Sequence, residues 1–359
     1  MGGVGTSQRP RVSVAMVTYN QEKFLAQAIE SVLAQDFTDW ELVIGEDCST
    51  DGTLAVATRY EAAHPDRIRL LRDEVNLGGR GNYIRTLSAC RGEFLAQLDG
   101  DDYWTDPTKL SRQVALLDAH PECAIVFGAT LNDTETPGVA PEVYYPPDRR
   151  EFYDLEDLLR RNFIGSGAVL WREPDIEGLP DWFKTVAVGD WPMHVLCAQG
   201  GRIGYIDDVM SLHREHALGV WGGLSLLART QQRLAVRKYF RDHFEGSYED
   251  VFDGADLADH FHLAKTHRKA GQALRACTES LWCLRHRNKG DRPTALRVIE
   301  EALHAVIPKL AWLGLGSFAC FGLLATREPG THWVWKPIWV ALVALGVYGL
   351  VPRRNRHRG

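Results

Sequence analysis

Along the first hundred residues, short apolar runs alternate with stretches whose apolar residues recur at helical spacing. Residues 12–17 are apolar and rich in β-branched side chains, as a strand buried on both faces requires. Asn20 stands where a helix N-cap would stand, and Phe24, Leu25, Ala28, Ile29, Val32 and Leu33 then mark one apolar helical face. Residues 40–45 predict a second strand, and Asp51-Gly52-Thr53 opens a second helix that runs to His64-Pro65. A third strand at 68–71, a helix at 82–90 and a fourth strand at 93–98 continue the rhythm. Strand and helix in strict alternation predict an α/β fold of the Rossmann-like kind, with a mainly parallel sheet covered on both faces.

Past residue 105 the rhythm loosens. The pattern predicts helices at 109–120, 154–161 and 190–199, and strands at 124–127, 167–171 and 203–206. Residues 132–150 are rich in Pro, Gly and acidic side chains and predict a surface loop. From 224 onward the chain reads as all-helical, with patterns at 224–244, 255–270 and 272–287. Residues 306–325 and 333–351 are apolar all round, and each approaches the ~20 residues that a membrane-spanning helix needs. Basic residues flank the pair on both outer sides, from Arg285 to Arg292 and from Arg353 to Arg358. The expectation is a transmembrane hairpin in the inner or plasma membrane, with both of its ends on the cytosolic side. The predicted organisation is a flexible leader at 1–10, an α/β domain at 11–222, a helical extension at 223–304, the hairpin at 305–352 and a basic tail at 353–359.

Composition narrows the function. A formal net charge of −6 speaks against a nucleic-acid partner held by bulk electrostatics. The seven cysteines are scattered, with no CxxC pair, which disfavours a disulfide framework or a zinc site. No apolar stretch precedes Val12, so a secretory signal peptide is not expected.

The chemistry concentrates at the predicted strand ends. Asp99-Gly100-Asp101-Asp102 follows the fourth strand directly, at the edge where open α/β sheets bind ligands. Three carboxylates so close repel one another unless a cation joins them, and hard oxygen ligands suit Mg²⁺ or Mn²⁺. Such an ion would hold two phosphates and neutralise a departing diphosphate. Thr18-Tyr19-Asn20 ends the first strand, and the run from Glu46 to Thr53 ends the second. Three polar strand ends on one sheet edge make a single crevice. Farther on, Val188-Gly189-Asp190-Trp191-Pro192 puts an acid at the start of a helix, and His213-Arg214-Glu215-His216 precedes Gly219-Val220-Trp221.

In order and spacing these motifs resemble those of family-two inverting glycosyltransferases of the GT-A (nucleotide-diphospho-sugar transferase) fold, over residues 11–222. That family's pattern runs TYN, DDxSxDGT, Asn-x-Gly and DxDD. Here it reads Thr18-Tyr19-Asn20, Glu46 to Thr53, Asn76-Leu77-Gly78 and Asp99 to Asp102. The resemblance implies a nucleotide-sugar donor contacted by Thr18, Tyr19, Asn20, Glu46, Asp47, Asn76, Arg80, Asp99 and Arg214. Within that set Asp47 would meet the base, Arg80 and neighbouring Asn82 the diphosphate, and Asp99 the ribose or the metal. It implies a divalent cation, Mg²⁺ or Mn²⁺, on Asp101 with Asp99 and His216, and Asp190 as the general base. Ser166 and Trp191 would line the side of a glycan or lipid-linked acceptor. Glu46 stands where the family has Asp, Cys48 where it has Gly, and His213 where it has Tyr.

Two other classes compete. A nucleotidyltransferase would carry a Gly-rich, Arg-containing loop after the first strand, but Thr18 to Lys23 has no such pattern. A non-catalytic membrane scaffold would have no reason to keep Asp99, Asp101 and Asp190.

Overall fold

The computed structural model describes residues 9–286, apart from 135, 137, 187, 188 and 217–223. The predicted hairpin at 305–352 therefore lies outside the described residues, as does Gly219-Val220-Trp221. Among the described residues no helix is long and apolar enough to cross a membrane. The chain forms two compact units, one through Asp256 and one from Leu257 onward.

In the first unit β1 (Val12–Thr18) lies between β2 (Trp40–Glu46) and β4 (Phe94–Asp99), parallel to both, and β3 (Ile68–Arg72) adds parallel to β2. Val12, Val14 and Met16 point to one face, where α1 (Leu25–Leu33) brings Leu25, Ala28, Ile29 and Val32 and α4 (Lys109–Ala119) brings Leu110, Val114 and Leu117. Ala15 and Leu95 point to the other face. There α3 (Gly78–Ala89), α5 (Leu155–Arg160), α6 (Asp190–Ala198) and α7 (Leu226–His243) supply Leu87, Leu158, Trp191 and Phe240. α2 (Thr53–Ala63) joins the α1 layer through Ala57. Trp182 stacks on Tyr239, so α7 packs with the α/β layers within the first compact unit.

The sheet is mixed, not mainly parallel. β9 (Val169–Arg172) inserts antiparallel between β4 and β6 (Cys123–Asp133), and β10 (Arg202–Arg214) follows parallel to β6. β5 (Tyr103–Trp104) and β8 (Phe152–Tyr153) pair antiparallel with β10. β7 (Glu142–Tyr144) pairs antiparallel with β6 inside the segment predicted as loop. An apolar run carries no direction, which is why β9 read as one more parallel strand.

This topology assembles one edge. The β1 register sets Thr18 beside Glu46 and Val17 beside Asp99. Because β9 runs backward, the turn Ser166–Ala168 that precedes it stands at the end of β4. β10 reaches the same edge and ends at Arg214, and α6, which runs back against β10, starts there with Asp190.

The second unit begins within α8 (Glu249–Lys269) and includes α9 (Ala273–His286). Within it His260 stacks on Trp282 at 3.7 Å and its Nδ1 lies 2.6 Å from Glu279.

Candidate active site

The loops after β1 and β2 hold each other. Asn20 adopts a left-handed conformation with φ 53°, which asparagine tolerates. Its amide donates to Ser49 Oγ at 2.9 Å, and its Oδ1 accepts from the Thr50 amide at 2.8 Å. It is therefore not the N-cap of α1, which starts later, at Leu25. Gln21 N donates to Thr53 Oγ1 at 2.8 Å, and Asp51 accepts from Glu22 N and Thr53 N. Burial opposes the charge on Asp51, but these hydrogen bonds outweigh it and hold its carboxyl below the usual range.

Glu46 is buried and accepts from the Ser49 amide at 2.7 Å. Buried Asp47 accepts from the Leu77 amide at 2.7 Å, and its carbonyl accepts from Asn76 Nδ2 at 2.6 Å. These contacts fasten the Asn76-Leu77-Gly78 segment to the end of β2. Cys48 sits at φ 58°, so the position calls for glycine, and its thiol donates to the Asp73 carbonyl at 2.9 Å. Tyr19 is exposed at the rim. Asn82 lies under the sheet edge, donating to the Gly45 carbonyl at 2.8 Å, which takes it away from any diphosphate.

Asp99, Asp101 and Asp102 diverge at the end of β4. Burial raises the Asp99 pKa to about 8, helped by the charges of Asp102 and Asp101, and among the described residues Asp99 forms no ion pair. Asp102 is buried and accepts from His213 Nδ1 at 3.0 Å and from the Arg214 amide at 2.9 Å. Burial works against a charged His213, yet the hydrogen bond to Asp102 and the three aspartate charges push its pKa up to about 9. Asp101 Oδ2 meets His216 Nε2 at 2.9 Å, and His216 stacks on Phe24 at 5.3 Å.

Arg214 lies beneath this loop. Its guanidinium donates to the Asp101 carbonyl and to Gln27 Oε1, between the rings of Phe24 and Tyr103. The guanidinium thus braces Asp101 from beneath. Gly100 packs its α-carbon against the first loop: a Cβ there would fall 2.6 Å from Gln21 Oε1 and 2.9 Å from Thr18 Oγ1. Both of those oxygens are buried without a protein partner.

Asp190 is the first residue of α6, which carries no side-chain cap, so it is not an ordinary N-cap aspartate. Among the described residues its buried Oδ1 has no hydrogen-bond partner, and its Oδ2 accepts from Asn162 Nδ2 at 3.4 Å. Burial raises its pKa despite backbone hydrogen bonds and the charges of His213 and Arg80. Ser166 is half-buried in the turn held by Trp104 Nε1, which donates to the Gly167 carbonyl at 2.7 Å. Trp191 belongs to the core instead of the acceptor side: it is buried, its indole donates to the Leu158 carbonyl, and it meets Phe240 edge-on at 5.2 Å.

Among the described residues no three acid, His or Cys side chains close into a cage, so the set Asp101, Asp99 and His216 does not form one. The donor chemistry still fits a hard divalent ion. Asp99 and Asp101 are carboxyl groups at one strand end, with Asp99 in no ion pair among the described residues, and Mg²⁺ commonly takes one or two protein carboxylates, with substrate phosphates and water completing its shell. Sequence patterns did not point to Gln21, Gln27 or the Asp102–His213 pair. Their partners lie far apart in the chain, and only the neighbourhood of known motifs hinted at them.

Residues 13–179 match Glycosyl transferase family 2. An uncharacterized protein of Mycobacterium tuberculosis, Rv1520, is 37% identical over 213 residues, 58% of this chain and 60% of that protein. TuaG of Bacillus subtilis, whose naming as a teichuronic acid biosynthesis glycosyltransferase is provisional, is 31% identical over 166 residues, 46% of this chain and 63% of its own. The chain thus spans less than two-thirds of these relatives' length. The mannosyltransferase PcManGT from Pyrobaculum calidifontis, solved with GDP-Man and Mn²⁺, aligns with a TM-score of 0.53 at 20% identity, covering 89% of this chain and 88% of that one. The fold is the GT-A glycosyltransferase fold with a mixed sheet, and the matches support a glycosyltransferase domain.

Proposed function

We propose that this protein is a glycosyltransferase that moves a sugar from a nucleoside-diphosphate donor to an acceptor hydroxyl, with inversion at the anomeric carbon. One observation carries the reading: Asp190, whose buried Oδ1 has no partner among the described residues, lies near enough to the acidic end of β4 for its charge to raise the Asp99 pKa. The donor in the PcManGT complex is a nucleotide sugar, which supports the same donor class here.

Asp47, Thr18 and Gln21 bound the nucleoside side of the cleft. Asp190 takes the proton of the acceptor hydroxyl as its oxygen attacks the anomeric carbon. The bond to the diphosphate breaks on the opposite face, and the nucleoside diphosphate leaves. Burial of Asp190 makes its carboxylate a stronger base than one in water. A divalent cation on Asp101 and Asp99 would supply charge neutralisation at the leaving diphosphate. The Mn²⁺ of PcManGT supports that cofactor.

The acceptor class is a glycan or lipid-linked glycan of the cell envelope. The naming of TuaG supports this, and so does the apolar pair at 305–352, read as a hairpin that attaches the enzyme to the inner or plasma membrane. The test is a panel of nucleotide sugars with and without Mg²⁺ or Mn²⁺, on wild type and Asp101→Asn. The expected result is metal-dependent release of a nucleoside diphosphate by the wild type, reduced at least tenfold in the variant. Unchanged metal dependence in Asp101→Asn removes the assignment.

A further inference from the structure

Arg80 follows Asn76-Leu77-Gly78, a position that suggests the donor diphosphate, but its side chain goes elsewhere. Its Nη2 donates to the Val186 carbonyl at 2.9 Å. Its guanidinium lies 4.9 Å from the ring centre of Phe183 and 5.8 Å from that of Tyr83. A Cβ on Gly189 would fall 2.1 Å from Nη1, so the guanidinium packs against the bare backbone of Gly189, and a methyl there would push it aside. Among the described residues Arg80 forms no ion pair, and the one carboxylate whose charge reaches it is Asp190. Its Nε is buried without a partner, so the side chain is placed by Val186, Gly189 and the two rings.

The other end of the same segment is tied to the donor side. Leu77 N and Asn76 Nδ2 both donate to Asp47, and the Gly78 amide closes on Asn76 Oδ1 at 2.9 Å. Arg80 lies three residues after Leu77, less than one turn into α3. One short stretch of backbone thus grips the expected base contact at one end and the approach to Asp190 at the other.

We propose that Arg80 is a positioning residue that sets Asp190 relative to the donor, so that a nucleotide seated against Asp47 fixes the general base through the start of α3. The proposal rests on the glycosyltransferase reading with Asp190 as base. It makes donor-first binding the productive order, because the acceptor meets a correctly placed carboxylate only once the Asn76–Gly78 segment is held. A misplacement of about 1 Å at a catalytic group can cost ~10²-fold in rate. Arginine suits the task, since its planar fork can donate to a carbonyl while stacking on an aromatic ring.

The test uses Arg80→Met, Gly189→Ala and the double variant in the full chain, with kcat and the donor and acceptor KM measured for transfer, and thermal melting as the check on folding. Gly189→Ala reaches the same contact from the opposite side, because its methyl must displace a flexible side-chain end. Each single variant should lose about 10- to 100-fold in kcat with the donor KM within about twofold. The double variant should lose no more than the worse single, because both break one contact. A raised donor KM with unchanged kcat overturns the proposal and returns Arg80 to the donor. So do losses that multiply in the double variant, or no loss at all. A wild type that transfers no sugar from any donor fails the underlying reading; an active wild type with unaffected variants fails the coupling alone.

Discussion

The proposed donor and acceptor sides of the site are held by different means. Around the ends of β1 and β2 the loops are laced to each other. Asn20 binds Ser49 and Thr50, Gln21 binds Thr53, the Glu22 amide donates to Asp51 while its carboxylate accepts from the Gly52 amide, and Asp47 grips Asn76 and Leu77. Around the start of α6 the polar lacing is sparse. Beyond its backbone contacts Asp190 has one long side-chain hydrogen bond, from Asn162, and its surroundings are set by Trp191, Phe183 and Phe240 in the core and by Arg80 from outside the helix. The contrast teaches a division of labour. The donor side spends its polar groups on building a rigid bed. The acceptor side keeps one carboxylate unsatisfied, which costs stability and makes the group reactive.

The largest expected effect breaks the acceptor side alone. Asp190→Asn keeps the shape and removes the base, so kcat for transfer should fall by about 10²–10⁴-fold. Nucleotide-sugar affinity measured by calorimetry should stay within about twofold, because no donor loop touches Asp190. Wild-type kcat should also fall on the acid side at a pH above the ordinary carboxylate range. Burial raises the Asp190 pKa, and the base is lost by protonation as pH drops through that raised value. An Asp190→Asn enzyme that retained full transfer would put the base elsewhere.

A middle effect strains the donor bed. Gly100→Ala drives a methyl to within 2.6 Å of Gln21 Oε1 and 2.9 Å of Thr18 Oγ1. Overpacking of this kind costs about 1–3 kcal/mol. That strain falls on the fold, and the donor loop shifted to relieve it should lose roughly tenfold in donor kcat/KM. The acceptor KM should move little. If the acceptor KM changed as much as the donor KM, the two sides would not be separable in the way their hydrogen bonds indicate.

What the sequence made legible follows the same line. The donor side is local: β1, β2 and β4 are continuous apolar runs with their motifs attached, so both fold and candidate residues could be read in place. The contacts around the acidic end of β4 and the start of α6 are assembled at long range. Asp102 meets His213 and Arg214 across 111 and 112 positions, and Arg80 meets Val186 across 106. No periodicity encodes such pairings. The backward direction of β9 was illegible because the continuous apolar run Val169–Trp171 carries no sense of direction. The burial of Trp191 was hidden because an aromatic beside a catalytic acid suits a sugar platform as well as a core. Cys48 is the reverse case: its glycine-like backbone was foreshadowed by the glycine that the resembling family carries there.

That residue offers the smallest and sharpest test of how firmly the donor bed is laced. At φ 58° a non-glycine residue is strained by about 1–2 kcal/mol. Glycine relieves this but gives back ~0.5–1 kcal/mol in chain entropy. Cys48→Gly should therefore be more stable than wild type by about 0.5 kcal/mol by these two opposing terms, less whatever the Cys48 thiol gains from the Asp73 carbonyl. Cys48→Ala separates the parts, because it keeps the strained backbone and deletes the sulfur. Chemical denaturation of all three should rank glycine above cysteine and cysteine at or above alanine. If glycine ranked lowest, the left-handed turn would be a conformation that the flanking bonds of Glu46, Ser49 and Asn76 do not impose. The donor side would then be a flexible loop shaped by its ligand, and the contrast with the acceptor side would vanish.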